Sequence, residues 1–264
     1  MKSPLSVLFI LSTNFLFAQI DTTFLEMFLM EDELQERNNS MKYAQYDYSG
    51  LWTATNNINV YGIIGEDHQR LRIKFISIIK NPFDSLEYLI SGKSKVENEI
   101  CDLIGAIRIQ EIREVMEAHV GVDGELGDNE IAQQGVLIGR YELRENEEQT
   151  HSGTFRGTLY SKWYIGKDGV VQYDDIQSVA DGYMNNAFIG VWQSHRSKRQ
   201  KVCNWADYRV PQANVDFDIG AGEFSVAAKY LKFGWLDTVE SKGAVGNAKT
   251  SNSLTKDDEQ WWKD

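Results

Sequence analysis

The sequence predicts an all-β protein: an antiparallel, strongly coiled meander, barrel-like or sandwich-like, with a short N-terminal helix and a flexible C-terminal tail. Two observations lead to this prediction. Between residues 50 and 235, several segments alternate apolar and polar residues, as antiparallel strands with one buried face do. Five of these segments also hold a glycine between two apolar neighbours on the same face. With 264 residues, 42% of them hydrophobic, the chain can build a sizeable core.

The first 18 residues predict a secretory signal peptide. Lys2 precedes an apolar run from Leu5 to Ala18, and this run is shorter than the ~20 residues that cross a bilayer as a helix. The length of the run and the small residue Ala18 before the cleavage point are typical of a signal peptide. We therefore expect a secreted or periplasmic protein whose mature chain begins at Gln19 and has no transmembrane segment.

A short amphipathic helix is predicted from about Thr23 to Arg37, within a lead-in that spans residues 19–49. Thr23 and Glu26 have the spacing of a capping box. The apolar residues that recur at helical spacing are Phe24, Leu25, Phe28, Leu29 and Leu34. Because residues 31–33 are acidic and would oppose an anionic lipid surface, we expect the apolar face to pack on the main domain.

The main β domain is predicted over residues 50–235. Its clearest strand places Phe155, Gly157, Leu159, Ser161, Trp163 and Ile165 on one face. The strands fall into two groups, 50–115 and 135–235, and the sequence leaves open whether the groups share one core. Apolar residues become scarce in 236–264, which predicts a flexible tail. Trp261 and Trp262 within this tail dock on the domain or on a partner, or are exposed.

A repeated apolar-x-Gly-x-apolar pattern predicts the coiling of the sheet. The pattern is centred on Gly62, Gly105, Gly139, Gly157 and Gly190. Glycine inside a strand weakens that strand, so its repeated use requires a cause. A strongly coiled sheet crowds its concave face, and a missing side chain relieves the crowding. The pattern therefore favours a coiled or closed meander over a flat sheet.

Composition and charge exclude several classes of function. The chain has 39 acidic and 27 basic residues, a net charge of -12, which argues against nucleic-acid binding. Its four histidines form no zinc-hydrolase motif, and no cofactor is predicted. In an oxidising compartment, the two cysteines Cys101 and Cys203 predict a disulfide, the alternative being two buried thiols.

The segment from Asp174 to Phe224 combines acids, amides and aromatic residues, and it holds the candidate site. Aromatic rings stack on the CH faces of sugars, while amides and carboxylates bind hydroxyl groups. The candidate ligand-binding residues are Trp192, Trp205, Asp207, Tyr208 and Glu223. No catalytic residue is assigned. Tyr160 and Tyr164 lie on the outward face of their strand, where we expect them to pack under a second layer or a neighbouring strand.

The sequence supports one main functional hypothesis and leaves alternatives. The main hypothesis is a non-enzymatic binding module for a glycan or another component of the cell envelope. One alternative is an envelope glycoside hydrolase that uses the carboxylates of Asp207 and Glu223. Another is a structural or interaction protein without a small ligand. Asp216, Asp218 and Glu223 are calcium candidates by their oxygen ligands, although their spacing differs from that of an EF-hand.

Overall fold

The structure is a computed structural model that describes residues 33–121, 131–180, 182–218, 224–236, 238 and 260–263. The predicted signal peptide lies outside these residues, as does most of the predicted N-terminal helix. The helix does not extend to Arg37, because Leu34 forms an isolated β-bridge with Val115 and residues 35–37 are not helical. Among the described residues, no helix is both long enough and apolar enough to span a bilayer.

Within the described residues, nine strands and a single-turn helix make up most of the regular structure. The strands are β1 (Val60–Ile64), β2 (Gln69–Lys80), β3 (Glu87–Val96), β4 (Glu99–Glu114), β5 (Ile131–Glu145), β6 (Gly153–Gly166), β7 (Val171–Tyr173), β8 (Asn185–Ser194) and β9 (Gln200–Asp207). Helix α1 spans Ser40–Tyr43. Short 3-10 helices cover Ser49–Thr53, Asn57–Asn59, Val215–Phe217, Ala228–Phe233 and Trp261–Lys263.

The strands form one antiparallel sheet that returns on itself as a ring. Their order is β5-β4-β3-β2-β1-β9-β8-β6-β7, and β5 also pairs with β6, so eight strands close the ring and β7 extends one edge of β6. The predicted antiparallel, strongly coiled meander is confirmed. The two predicted strand groups lie in the same sheet, since β4 pairs with β5 along most of its length.

The interior of the ring is filled by aromatic and aliphatic side chains. Trp205 stacks on Phe188 with ring centroids 4.7 Å apart and an interplanar angle of 10°, and Tyr141 meets both rings edge-on. Other large buried rings that the strands contribute to this core include Phe75, Tyr88, Phe155 and Trp163. The alternating apolar residues of the strands therefore point inward, as expected for strands with one buried face.

The chain before β1 enters one end of the ring as an N-terminal plug (residues 40–56). Tyr48, Leu51 and Trp52 of the plug are buried and belong to the interior core. Trp52 Nε1 donates to Ser161 Oγ on β6 at 3.1 Å, and the Tyr48 amide donates to the Tyr88 hydroxyl on β3 at 3.0 Å. We call this end of the ring the plug end. The opposite hairpin end carries the turns 64–69, 96–99, 145–153 and 194–200.

Two apolar clusters cover parts of the outer face. Tyr160, fully buried, packs with Leu34 and residues of β5, β8 and β9, so this outward ring lies under a second layer, as expected. The chain after β9 packs Phe217, Phe224 and Trp235 against the outward side of β1. The segment around Leu34 and the described segments after β9 thus pack on the outer face of the sheet.

The five glycines of the repeated pattern lie inside strands, where the sheet coils most closely. They are Gly62, Gly105, Gly139, Gly157 and Gly190, in β1, β4, β5, β6 and β8. Gly157 and Gly190 are direct partners across β6 and β8. A Cβ on Gly157 would lie 1.9 Å from the Ile189 carbonyl oxygen, and one on Gly190 would lie 2.1 Å from that of Arg156. The strands therefore approach where no side chain fits, as the pattern predicted.

We predict that Gly157→Ala destabilises the protein by about 3 kcal/mol, because overpacking at a backbone contact forces the strands apart. The matched control is Gly50→Ala, since nothing lies within 4 Å of a Cβ built there. Urea unfolding followed by far-UV circular dichroism measures both variants. Equal stabilities of the two variants would show that the close approach does not constrain the ring.

Candidate functional site

The structure places the predicted ligand-binding residues in different parts of the molecule. Trp205 and Asp207 point into the ring near the plug end, where both line one small cavity. Trp192 lies at the hairpin end, where its Nε1 donates to Glu145 Oε2 at 2.8 Å. Tyr208 follows β9, and its ring contacts that of Tyr183 with centroids 5.4 Å apart. Glu223 lies outside the described residues. The set is therefore not brought together as one surface.

Asp207 is the centre of a buried hydrogen-bond network at the plug end. Its Oδ2 accepts from Thr55 Oγ1 at 2.8 Å, from the Tyr173 hydroxyl at 3.0 Å and from Asn186 Nδ2 at 2.8 Å. These partners come from the plug, β7 and β8. Asn186 also donates to the Leu51 carbonyl at 2.8 Å. One carboxyl group on β9 thus links the plug to β8 of the ring and to the edge strand β7.

The environment of Asp207 favours its neutral form. The side chain is 4% exposed, and burial raises the pKa of Asp207 to about 7, against the opposing effect of its three donors. All three donors reach Oδ2, which leaves Oδ1 to carry the proton. The adjoining cavity, lined by Trp52 and Trp205, holds about 30 Å³. This is room for one water and not for a sugar ring.

A second buried carboxyl group, Asp174, positions the segment that follows β7. Gln134 Nε2 on β5 donates to Asp174 Oδ2 at 2.7 Å, and Asn185 Nδ2 donates to the Asp174 carbonyl at 3.2 Å. The Tyr183 hydroxyl donates to the same carbonyl. Burial raises the pKa of Asp174. These bonds hold Tyr183 and its neighbours against the outside of the ring.

A cleft of about 710 Å³ lies on the outer face, between residues 177–184 and residues 209–218, with 181 outside the described residues. Its polar lining comprises Lys162, Gln177, Arg209, Gln212, Asn214 and Asp218. Its aromatic lining comprises Tyr183, Phe217 and Phe224. Arg209 pairs with Asp218 inside the cleft. A volume of this size suits a small ligand, and the mixture of amides, charges and rings suits a polar one.

Most of the cleft lies in the segment from Asp174 to Phe224 that the sequence analysis selected, but most of its lining residues were not among the candidates. Gln177, Gln212 and Asn214 stand in loops without a recognisable motif, and Lys162 lies on β6, outside that segment. The available signal was the density of amides and turn residues after β7 and after β9. The sequence analysis chose its candidates mainly for their aromatic rings. The ring of Trp205, however, is packed in the interior core.

Two of the three calcium candidates, Asp216 and Asp218, form ion pairs with basic side chains, and the third, Glu223, lies outside the described residues. Asp216 Oδ2 lies 2.7 Å from Lys229 Nζ and accepts from the Tyr230 hydroxyl at 3.2 Å. Asp218 pairs with Arg209. In the part of the chain that the structure describes, no group of three or more His, Cys, Asp or Glu side chains is placed to hold a metal ion. The carboxylates of Asp216 and Asp218 thus serve ion pairs.

The predicted disulfide is absent from the structure: Cys101 and Cys203 are free and buried. Cys101 lies on β4 and Cys203 on β9, with β3, β2 and β1 between them in the ring. Cys101 Sγ is directed to the Thr150 carbonyl at 3.7 Å. Burial raises the pKa of the Cys101 thiol to about 12 and also raises the pKa of the Cys203 thiol, so neither position offers an activated nucleophile. The alternative of two buried thiols describes the structure.

Comparison with known proteins adds no relative: no family model, curated protein or solved structure matches the chain. The site is therefore interpreted from its own geometry.

We predict that Asp207 makes the protein more stable in acid. A folded-state pKa of about 7 exceeds the ordinary aspartate pKa of 3.8, so the folded protein binds the proton more tightly than the unfolded chain does. Its stabilising contribution is complete below pH 3.8 and is lost as the pH rises through about 7, by roughly 4 kcal/mol. The variant Asp207→Asn keeps a neutral side chain of the same shape and should not show this loss.

Urea unfolding at several values between about pH 4 and pH 8 measures the effect. The stability difference between the wild type and Asp207→Asn isolates this residue, because other titrating groups are common to both proteins. The exposed Asp175 provides the control Asp175→Asn, whose profile should follow the wild type. Parallel profiles for Asp207→Asn and the wild type would contradict the prediction.

Proposed function

We propose that the chain is an exported, non-enzymatic binding module whose outer cleft takes a glycan or another polar component of the cell envelope. The observation that supports this proposal is the cleft of about 710 Å³ with its mixed polar and aromatic lining. Because the interior of the ring is filled by side chains, a ligand has to bind outside it. The signal-peptide pattern of residues 1–18 supports export.

The chemistry of the cleft suits a sugar. The side-chain amides of Gln177 and Gln212 can each donate to and accept from hydroxyl groups. Lys162 and Arg209 add donors that would also accommodate a carboxylate or phosphate substituent. Tyr183 and Phe217 provide ring surface for the CH groups of a sugar. A polar ligand with one apolar face satisfies all three features.

The two alternatives have less support. Asp207 is buried beside a cavity of only about 30 Å³, so a glycosidic bond could not approach its carboxyl group. Trp261, a candidate for partner binding, is 2% exposed and therefore buried against the protein itself. The binding module is the function that the geometry favours.

We predict that Ala180→Trp weakens ligand binding, because a large ring at this exposed lining position would occupy the cleft. The matched control is Val179→Trp, since Val179 is 84% exposed and does not line the cleft. A glycan array and pull-down with peptidoglycan identify ligands, and calorimetry then measures affinity. We expect a loss of at least about tenfold for Ala180→Trp, which corresponds to ~1.4 kcal/mol, and none for Val179→Trp.

Two outcomes would count against the proposal. One is the absence of binding across polysaccharides and peptidoglycan. The other is an equal affinity of the wild type and Ala180→Trp, which would place the ligand elsewhere on the protein.

A further inference from the structure

Tyr183 belongs both to the cleft and to the hydrogen-bond network around Asp207. Its ring lines the cleft on the outer face, and its hydroxyl donates to the carbonyl oxygen of Asp174. The same hydroxyl is hydrogen-bonded to that of Tyr173. Because the Tyr173 hydroxyl donates to Asp207 Oδ2 at 3.0 Å, two phenol hydroxyls connect a side chain of the cleft to a carboxyl group inside the ring.

The two hydroxyls have fewer protons than acceptors. Tyr173 uses its proton for Asp207. The proton of Tyr183 is left with two acceptors, the Asp174 carbonyl oxygen and the Tyr173 hydroxyl oxygen. Ionisation of Asp207 makes the bond from Tyr173 charge-assisted and roughly twice as strong. A hydroxyl that donates more strongly is also a better acceptor, because neighbouring hydrogen bonds polarise one another. The charge on Asp207 therefore favours the bond from Tyr183 to Tyr173.

Three phenols and one amine face Asp207 from the elements around it, within the part of the chain that the structure describes. Burial raises the pKa of Tyr173, Tyr183 and Tyr208, and the charge of Asp207 raises each pKa further. On β2, Lys74 lines the adjoining cavity, and burial lowers its pKa. The plug and β8 supply uncharged donors. The phenols therefore keep their protons where Asp207 titrates, and a variant of Asp207 separates its titration from that of Lys74.

Asp174 is a second titrating carboxyl group near Tyr183. Burial raises the pKa of Asp174, while Lys162 and His119 are close enough to oppose this rise. Asp174 meets Tyr183 through its own backbone carbonyl. An effect of Asp174 on the cleft therefore does not pass through Tyr173, and a variant of Tyr173 distinguishes the two carboxyl groups.

We propose that Asp207 regulates the cleft by moving the hydroxyl of Tyr183 between its two acceptors. With Asp207 neutral, Tyr183 is held by the Asp174 carbonyl oxygen, and the cleft has the shape that the structure shows. With Asp207 ionised, Tyr183 turns toward Tyr173 and its ring leaves that position. Because burial raises the pKa of Asp207 to about 7, the exchange takes place around neutral pH. The inference rests on the proposed function, since it makes the affinity of the cleft for a glycan fall as the pH rises.

NMR of the full chain without ligand tests the coupling between about pH 5 and pH 9. The backbone amide of Thr55 reports on Asp207, because Thr55 Oγ1 donates to its carboxyl group at 2.8 Å. The backbone amide of Tyr183 reports on the cleft. In the wild type, both amide shifts should follow the pH with one midpoint near 7. In Asp207→Asn, both titrations should disappear.

Tyr173→Phe is the decisive variant, and Tyr48→Phe is its matched control. Removing the Tyr173 hydroxyl should raise the midpoint of Asp207, because this donor stabilises the ionised form. The Thr55 amide should still titrate, and the Tyr183 amide should not. Tyr48 is buried in the same core, and its hydroxyl has no hydrogen-bond partner among the described residues, so Tyr48→Phe should behave like the wild type. A Tyr183 amide that still follows Asp207 in Tyr173→Phe would overturn the proposal, because the charge would then act through space.

Tyr183→Phe is the second variant, which keeps the ring in the cleft and removes the proton that changes its acceptor. Its amide at position 183 should no longer follow that of Thr55, so this variant decides the coupling if Tyr173→Phe does not fold. Persistence of this titration in Tyr183→Phe would contradict the proposal.

Calorimetry with soluble peptidoglycan fragments tests the effect on binding. The wild type should bind them about fivefold more weakly at about pH 8 than at about pH 6, and Tyr183→Phe should bind them equally at both values. Equal affinity of the wild type at both values would overturn the regulation. Absence of binding would contradict the proposed function alone, because the NMR measurement needs no ligand and still decides the coupling.

Discussion

The close approach of β6 and β8 at Gly157 and Gly190 is the constraint on which the rest of the structure depends. The space where Gly190 would carry a Cβ lies 2.5 Å from the Tyr141 hydroxyl. The missing side chains thus let one strand approach another and admit an aromatic ring at the same level. A ring closed this tightly can be filled by side chains alone, as the stacked Trp205 and Phe188 show. Its interior then serves stability, and the ligand binding that we propose is left to the exterior.

Closing such a ring leaves two ends to be covered, and the chain covers them differently. Short turns connect the strands at the hairpin end. At the plug end, the chain before β1 inserts Leu51 and Trp52, whose polar atoms then need partners inside the protein. The Leu51 carbonyl and Trp52 Nε1 reach Asn186 and Ser161. Asp207 completes this network as an acceptor whose pKa burial raises to about 7, so that below this pH the neutral form avoids the cost of a buried charge.

Local sequence patterns predicted the strands and the coiling, because both depend on residues a few positions apart. The alternation in β6 and the glycine pattern are such signals. The closure of the ring by β1 and β9 joins residues about 140 positions apart, as in the pair of Gly62 and Trp205, and no local pattern encodes it. For the same reason, Trp192 and Asp207 looked like parts of one site. In the antiparallel ladder, Asp207 pairs with Asn185, while Trp192 pairs with Lys201 near the other end.

The chain that follows β9 contributes to several of the exterior features described above. Residues 209–218 form one wall of the cleft. Farther along, Trp235 packs on the outer face of the ring, and Arg70 of β2 lies over its indole at 5.4 Å. Lys74, two outward positions beyond Arg70 on the same strand, meets Trp262. The described segments after β9 thus pack on the outer face of the ring, which supports them. Substitutions in these segments can alter the outer face, including the cleft of the proposed function, without disturbing the aromatic interior that holds the fold together.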